Sequence, residues 1–187
     1  MPAEKRSPSG ELAVVTGAST GIGAATARAL AARGLHVLAG VRRDSDAEAL
    51  QAERLEPVII DITARADIEA VAKRVAADPA GRPLRALVNN AGIAVNAPVE
   101  ALPMAEWRRQ FEVNFFGHIA MTQALLPALL DSSGTVVNIS SVGGRVAMAT
   151  YGAYAGSKFA MEAASDALGG RWGNSASGSS SLSRAPS

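Results

Sequence analysis

The chain of 187 residues carries 18 basic against 17 acidic side chains, a formal net charge of +1. This balance gives no electrostatic ground for a nucleic-acid or anionic-membrane partner. There is no cysteine, which excludes a disulfide framework and a thiolate metal site, and His36 and His118 are too far apart in sequence to form a local metal motif.

The start Met1-Pro2-Ala3-Glu4-Lys5-Arg6 lacks the apolar stretch of a signal peptide, and no run of about 18 apolar residues follows it. The expectation is a cytoplasmic protein of one domain, able to bury a sizeable core. Residues 1–10, with Pro2, Pro8 and Gly10, read as a flexible lead-in. Leu12 to Thr16 is an apolar run expected to form a buried parallel strand. A helix is expected from Ile22 to Arg33, stopped by Gly34. His36 to Val41 reads as the second strand, Ala47 to Arg54 as a short helix, and Pro57 to Asp61 as the third strand. Ala66 to Ala77 reads as a helix with Ile68, Val71 and Val75 at helical spacing, and Leu84 to Asn89 as the fourth strand. A long helix is expected from Pro103 or Met104 to about Leu130, with Pro127 distorting its last turn. Thr135 to Ser140 reads as a fifth strand, and the segment from Tyr154 to Lys158 opens the next helix. Such alternation predicts an α/β fold, a doubly wound parallel sheet with helices on both faces, over residues 11–168. Ligand is expected at the carboxyl ends of the strands.

The loop Thr16-Gly-Ala-Ser-Thr-Gly-Ile-Gly23 follows the first strand. Its glycines permit a tight turn and a close approach of ligand to backbone, and the next helix N-terminus offers free N–H groups to a pyrophosphate. A glycine-rich structural turn is the bland alternative. Tyr154 and Lys158 stand four apart, so a helix puts both on one face. A phenol titrating near about 10 is a poor acid–base group at neutral pH, and a nearby ammonium favours its phenolate. Tyr151 competes for the role but has no lysine four positions on.

In chain order, the glycine loop, Asn89-Asn90-Ala91-Gly92, Asn114, and Ser141 with Tyr154 and Lys158 resemble the short-chain dehydrogenase/reductase family. The likeness runs from about Glu11 to about Leu168. It implies a Rossmann-like sheet, a nicotinamide cofactor, and hydride transfer between that cofactor and a carbonyl carbon. Gly17, Gly21 and Gly23, with Ser19 and Ile22, are expected to line the cofactor site. At the end of the second strand, where an acidic residue would hold the ribose 2′-hydroxyl, stands Arg42, whose fork fits a phosphate. Arg42 and Arg43 therefore favour NADP(H) over NAD(H), the alternative being that they solvate a loop beside Asp44 and Asp46. By resemblance Asp61, with Ile62, contacts the adenine ring; a strand-end or capping aspartate is the alternative. Asn90, Ala91 and Gly92 border the cofactor.

The resemblance further implies that Asn114 bends the long helix and holds a water linking Lys158 to solvent, although a plain buried asparagine has the same signature. Ser141 is expected to donate a hydrogen bond to the substrate oxygen, with Ser140 supporting the turn. Tyr154 acts as general acid in reduction and base in oxidation, while Lys158 tunes it and holds the nicotinamide ribose. The substrate is a small carbonyl or alcohol, and the small apolar segments near Val95 to Pro98 and Val142 to Thr150 favour a lipophilic one. No metal site is expected; relatives of full length are commonly homo-oligomers.

Residues 169–187 break the pattern, with seven serines and four glycines. They read as a disordered tail. Alternatively, a one-base frame shift over G- or C-rich third positions re-reads Ser181 to Ser187 as Val-Ala-Glu-Pro-Gly-Ala-Val and makes valines of Ser179 and Ser180, giving an apolar strand that ends in Pro-Gly and resembles the family's next strand. The family continues at this point into two further strands and a substrate-covering segment, so the sheet is expected to be incomplete at its carboxyl end. A shortened sheet would leave its fifth strand as an exposed edge. The reading of a different class is therefore a truncated, non-catalytic cofactor-binding or vestigial product.

Overall fold

The computed structural model describes residues 10–50, 52–172, 175–176 and 179–181; the expected lead-in up to residue 9 and the rest of the tail lie outside the described residues. Five strands, β1 (Leu12–Val15), β2 (His36–Val41), β3 (Leu55–Ile59), β4 (Leu84–Asn89) and β5 (Thr135–Asn138), pair in the order β3-β2-β1-β4-β5. Every pair among them is parallel. Because successive strand residues face opposite sides, β1 feeds two cores. Leu12 and Val14 join one apolar cluster with Leu38, Leu87 and Val136. Ala13 and Val15 join the other with Val37, Ala39 and Val88.

Helices cover both faces. The small residues Ala24, Ala27 and Ala31 of α1 (Gly21–Ala32) pack in the second cluster, where side chains without bulk let the helix lie close to the sheet. The first cluster is closed by α3 (Arg65–Ala76), through Ile68, Val71 and Val75, and by α5 (Gly117–Asp131), through Met121, Leu125 and Leu129. With α4 (Met104–Phe111) and a π-helical turn over Glu112–Phe116, α5 makes a helix long and apolar enough to cross a membrane by length and composition. Met121, Leu125 and Leu129 of that helix are buried in the first cluster. The helix continues through Pro127 to Asp131.

Three local expectations shift. The short helix α2 spans Asp44–Glu48, upstream of the expected Ala47 to Arg54. Asp44 and Asp46 occupy its first turn, where the helix dipole favours them. Arg54 takes φ 64° as the chain turns into β3. Pro57 lies within β3, an edge strand, where its missing N–H disturbs no inner ladder. The last helix, α6 (Gly152–Trp172), passes through Gly169 and Gly170.

The tail departs furthest from expectation. Within it, β6 (Ser175–Ala176) and β7 (Ser179–Ser181) form an antiparallel pair, and β7 lies antiparallel on Thr135–Val137 of β5. The fifth strand is thus paired rather than bare. An edge of open N–H and C=O groups accepts a strand whatever its side chains, and apolar periodicity gives no sign of such pairing.

A charged network closes the amino-terminal end of the sheet. Glu56 receives Arg74 through bonds of 2.6 and 2.8 Å and contacts His36 at 2.8 Å. Asp78, its side chain 2 % exposed, receives Arg82 at 2.7 and 2.9 Å and Arg74 at 3.0 Å. Arg82, then Arg74, hold Asp78 well below the usual carboxylate range, and Arg74 lowers Glu56. Both folded-state values are depressed, so this stabilisation is present above an unfolded pKa of about 4 and is lost as pH falls through the folded values. Asp78→Asn is expected to cost about 2 kcal/mol at neutral pH, and much less in acid, as read from urea midpoints.

Candidate active site

At the carboxyl ends of β1, β2 and β4 a cleft of about 760 Å³ opens over the glycine loop. Gly17 (φ 64°) and Gly21 (φ 57°) adopt left-handed conformations that favour glycine. A Cβ at Gly17 would stand 2.7 Å from Ala91 Cα, so the loop lies flat against the end of β4. Thr16 and Asn90 lock that contact. Thr16 Oγ1 accepts from the Asn90 and Ala91 amides at 2.9 and 3.1 Å, and Asn90 Nδ2 donates to the Thr16 and Gly17 carbonyls at 3.0 and 2.9 Å. The N-terminus of α1 has no side-chain cap and no acidic residue in its first turn. Its free N–H groups suit an anion.

Gly17, Ser19, Arg42, Asp61, Ile62, Asn90, Ala91 and Gly92 line this cleft. Gly21 and Ile22 open α1 at the mouth of the loop, with Ile22 63 % exposed, and Gly23 is buried beneath the loop. Asp61 lies two residues past β3 and ahead of Ala64, the N-cap of α3, and accepts from the Thr63 amide and hydroxyl at 2.8 and 2.7 Å. Those bonds, with a smaller contribution from the Arg42 charge, hold its carboxyl below the usual range. Asp61 still borders the cleft.

The second group gathers at the end of β5 and on α6. Ser141 precedes a short 3-10 turn, Val142–Gly144, and its Oγ accepts from the Gly143 amide at 3.1 Å. Its own hydrogen remains available to donate. A Cβ built on Gly143 would lie 3.1 Å from the Tyr154 ring and 3.5 Å from Ser141 Oγ, so hydroxyl and ring flank one residue. Lys158, one turn on and 4 % exposed, donates to the Ile139 carbonyl at 2.8 Å. Burial pushes its pKa down, with Glu162 opposing. Ser140 Oγ is buried without a partner beneath Gly144.

Asn114 joins the two groups. It is fully buried at the centre of the π-helical turn. Its Oδ1 accepts from the Ile93 amide at 2.8 Å, and its Nδ2 donates to the Ile93 carbonyl at 2.9 Å and to Ser157 Oγ at 3.1 Å. A Cβ at Gly92 would meet Asn114 Oδ1 at 3.4 Å and Lys158 Nζ at 4.0 Å, so amide and ammonium both face that glycine.

A family model described as short chain dehydrogenase matches residues 11–175. The chain belongs to the short-chain dehydrogenase/reductase family. Mouse retinol dehydrogenase 5 is 42% identical over 158 residues, covering 82% of this chain and 49% of that protein. The structure of a short-chain dehydrogenase from Streptomyces avermitilis matches with a TM-score of 0.81 at 38% identity, over 87% of this chain and 61% of that one. A short chain dehydrogenase from Burkholderia cenocepacia in complex with NADP matches with a TM-score of 0.76 at 35% identity, over 87% of this chain and 67% of that one. The chain spans 49% to 58% of the length of the curated relatives it matches.

In this short-chain dehydrogenase/reductase the sequence reasoning missed Thr16, Gln110 and Ser157, which are fully buried. It also missed Arg109 and Glu112, which line the cleft. Thr16, a hydroxyl ending an apolar run, carried a usable signal. Ser157 bridges the Asn114 amide to the Tyr154 carbonyl, bonding the latter at 2.7 Å, and lay unremarked inside the tyrosine–lysine motif itself.

Proposed function

We propose that this chain is an NADP(H)-dependent oxidoreductase that interconverts a secondary alcohol and a ketone, with Tyr154 as acid and base. One observation carries the reading: Ser141 Oγ and the Tyr154 ring flank Gly143, with buried Lys158 one helical turn behind. The dinucleotide fits the residues present. Flat glycine backbone and an uncapped helix N-terminus suit its pyrophosphate, Arg42 its 2′-phosphate, and Asp61 and Ile62 its adenine. Once bound it would supply the hydride, and the chain's own groups handle the oxygen and the proton.

In reduction Ser141 donates a hydrogen bond to the carbonyl oxygen, on which charge develops, and Tyr154 gives that oxygen its proton. The Lys158 ammonium stabilises the phenolate left behind. The phenol is restored by a proton arriving through Lys158, whose lowered pKa eases that donation and which is resupplied from the side of Asn114, past Gly92. A lipophilic substrate is favoured by Val142, Val146 and Met148, which stand 74%, 56% and 52% exposed just beyond Ser141. Retinol dehydrogenase 5 among the relatives is in keeping with that preference.

The test is product formation: NADPH and acetophenone incubated with the chain, with phenylethanol measured by chromatography. NADPH bound without any alcohol formed would favour the non-catalytic alternative. Arg42→Asp is expected to weaken NADPH binding about ten-fold or more and to narrow its advantage over NADH, as read by fluorescence titration. An unchanged preference would remove Arg42 from cofactor selection.

A further inference from the structure

From Ala91 to Ala97 the chain is a strap that belongs to no helix or strand, and its exposure alternates residue by residue as in an extended chain. Alternate residues are nevertheless held. Thr16 Oγ1 accepts from the Ala91 amide, Asn114 bonds both backbone groups of Ile93, and the Ala97 amide donates to the Thr150 carbonyl at 3.0 Å. Val95 is held by Gln110, whose Oε1 accepts from its amide at 3.0 Å and whose Nε2 donates to its carbonyl at 3.1 Å. Gly92, Ala94 and Asn96, the residues between, are exposed.

The spacing explains the match. Four residues of helix rise about 6 Å and two residues of strand about 6.6 Å, so amides four apart on a helix meet alternate residues of an extended chain. Gln110 and Asn114 thereby stand in for a neighbouring strand, and both are fully buried. A buried carboxamide without partners is costly, and the bonds to Val95 satisfy the Gln110 amide.

The two ends of the strap face different places. Gly92 and Ile93 line the dinucleotide cleft. Ala97 is tied to Thr150, a β-branched residue at φ 69°, an outlier of the kind that marks a clamped position. Just beyond, a Cβ at Gly152, the first residue of the helix that carries Tyr154, would lie 3.4 Å from Val99 Cγ2. The far half of the strap therefore runs beside the approach to Tyr154.

We propose that Gln110 is a positioning residue for substrate: it fixes the register of the strap's far half, so that Ala94 and Asn96 present a set surface to the carbonyl compound. This rests on the reading of Ser141 and Tyr154 as the reacting centre. The division of labour is then plain. Asn114 fixes the cofactor half and Gln110 the substrate half.

The test compares the parent chain with Gln110→Met, which keeps the volume and removes both hydrogen bonds, using NADPH with butanone and with acetophenone. The expected result is a KM for acetophenone raised about ten-fold, with kcat within about two-fold and NADPH affinity and pH profile unmoved. Gln110→Glu is the second variant. Its neutral acid carries both donor and acceptor, so KM should return toward the parent value as pH falls. Should the methionine variant fail to fold, this recovery decides the matter alone. An unchanged KM in a folded Gln110→Met chain overturns the proposal by itself, as does a loss confined to kcat with a shifted pH profile. Absence of turnover in the parent overturns the underlying reading and this proposal with it.

Discussion

Tyr154→Phe is expected to lower ketone-dependent oxidation of NADPH by about a hundred- to ten-thousand-fold, leaving NADPH affinity nearly intact. The substitution removes one oxygen. The ring remains to pack against Gly143 and to keep its edge-on contact with Tyr151, whose centroid lies 6.2 Å away. Ser157 still bonds the backbone carbonyl at position 154, so the turn carrying Lys158 keeps its place. What disappears is the proton donor opposite Ser141. Initial rates with acetophenone and a fluorescence titration of NADPH separate the two effects, and a variant with retained activity would sink the assignment of Tyr154.

Gly23→Ala is expected to act on binding and stability together. Its methyl group would fall on the Gly17 carbonyl oxygen and on Asn90 Nδ2, with the Gly17 carbonyl carbon only 2.9 Å away. Asn90 Nδ2 holds the glycine loop through that same carbonyl, so relief of the clash must open the loop. Overpacking of this kind costs about 1–3 kcal/mol, or about 2–12 °C in Tm for a chain of this size. NADPH binding should be lost with it. Gly21→Ala makes the comparison sharp, because a Cβ there meets nothing within 4 Å and only φ 57° resists it. Its cost should be about 1 kcal/mol, with the loop still closed. Equal losses in the two variants, read by calorimetry and NADPH titration, would contradict this account of the loop.

How far the sequence carried depends on what kind of signal each feature leaves. The bounds of β2 and β4 fall where the sequence placed them, His36–Val41 and Leu84–Asn89, because strands inside a sheet are written as apolar stretches, here Val37 to Val41 and Ala86 to Val88. Asn114 stood out as an amide among apolar neighbours, and the long helix does depart from α geometry there, as a π-helical turn. Gln110 offered no such contrast. It lies between Arg109 and Phe111 within the long helix, and its burial depends on a strap fifteen residues upstream. The pairing of β7 with β5 was hidden for a similar reason, since backbone groups at an open edge, rather than side-chain pattern, decide it. Asp61 shows that a bland reading and a functional one can share a residue: its carboxylate closes a turn on Thr63 and also borders the cleft.

The most direct measurement is reduction of acetophenone by the chain with NADPH deuterated at the transferable position of the nicotinamide ring, the alcohol being analysed by mass spectrometry. Transfer from the cofactor predicts phenylethanol bearing one deuterium on the carbinol carbon, formed by the parent and not by Tyr154→Phe. Unlabelled alcohol, or no alcohol from a chain that binds NADPH, would contradict the reading of this site as an oxidoreductase centre.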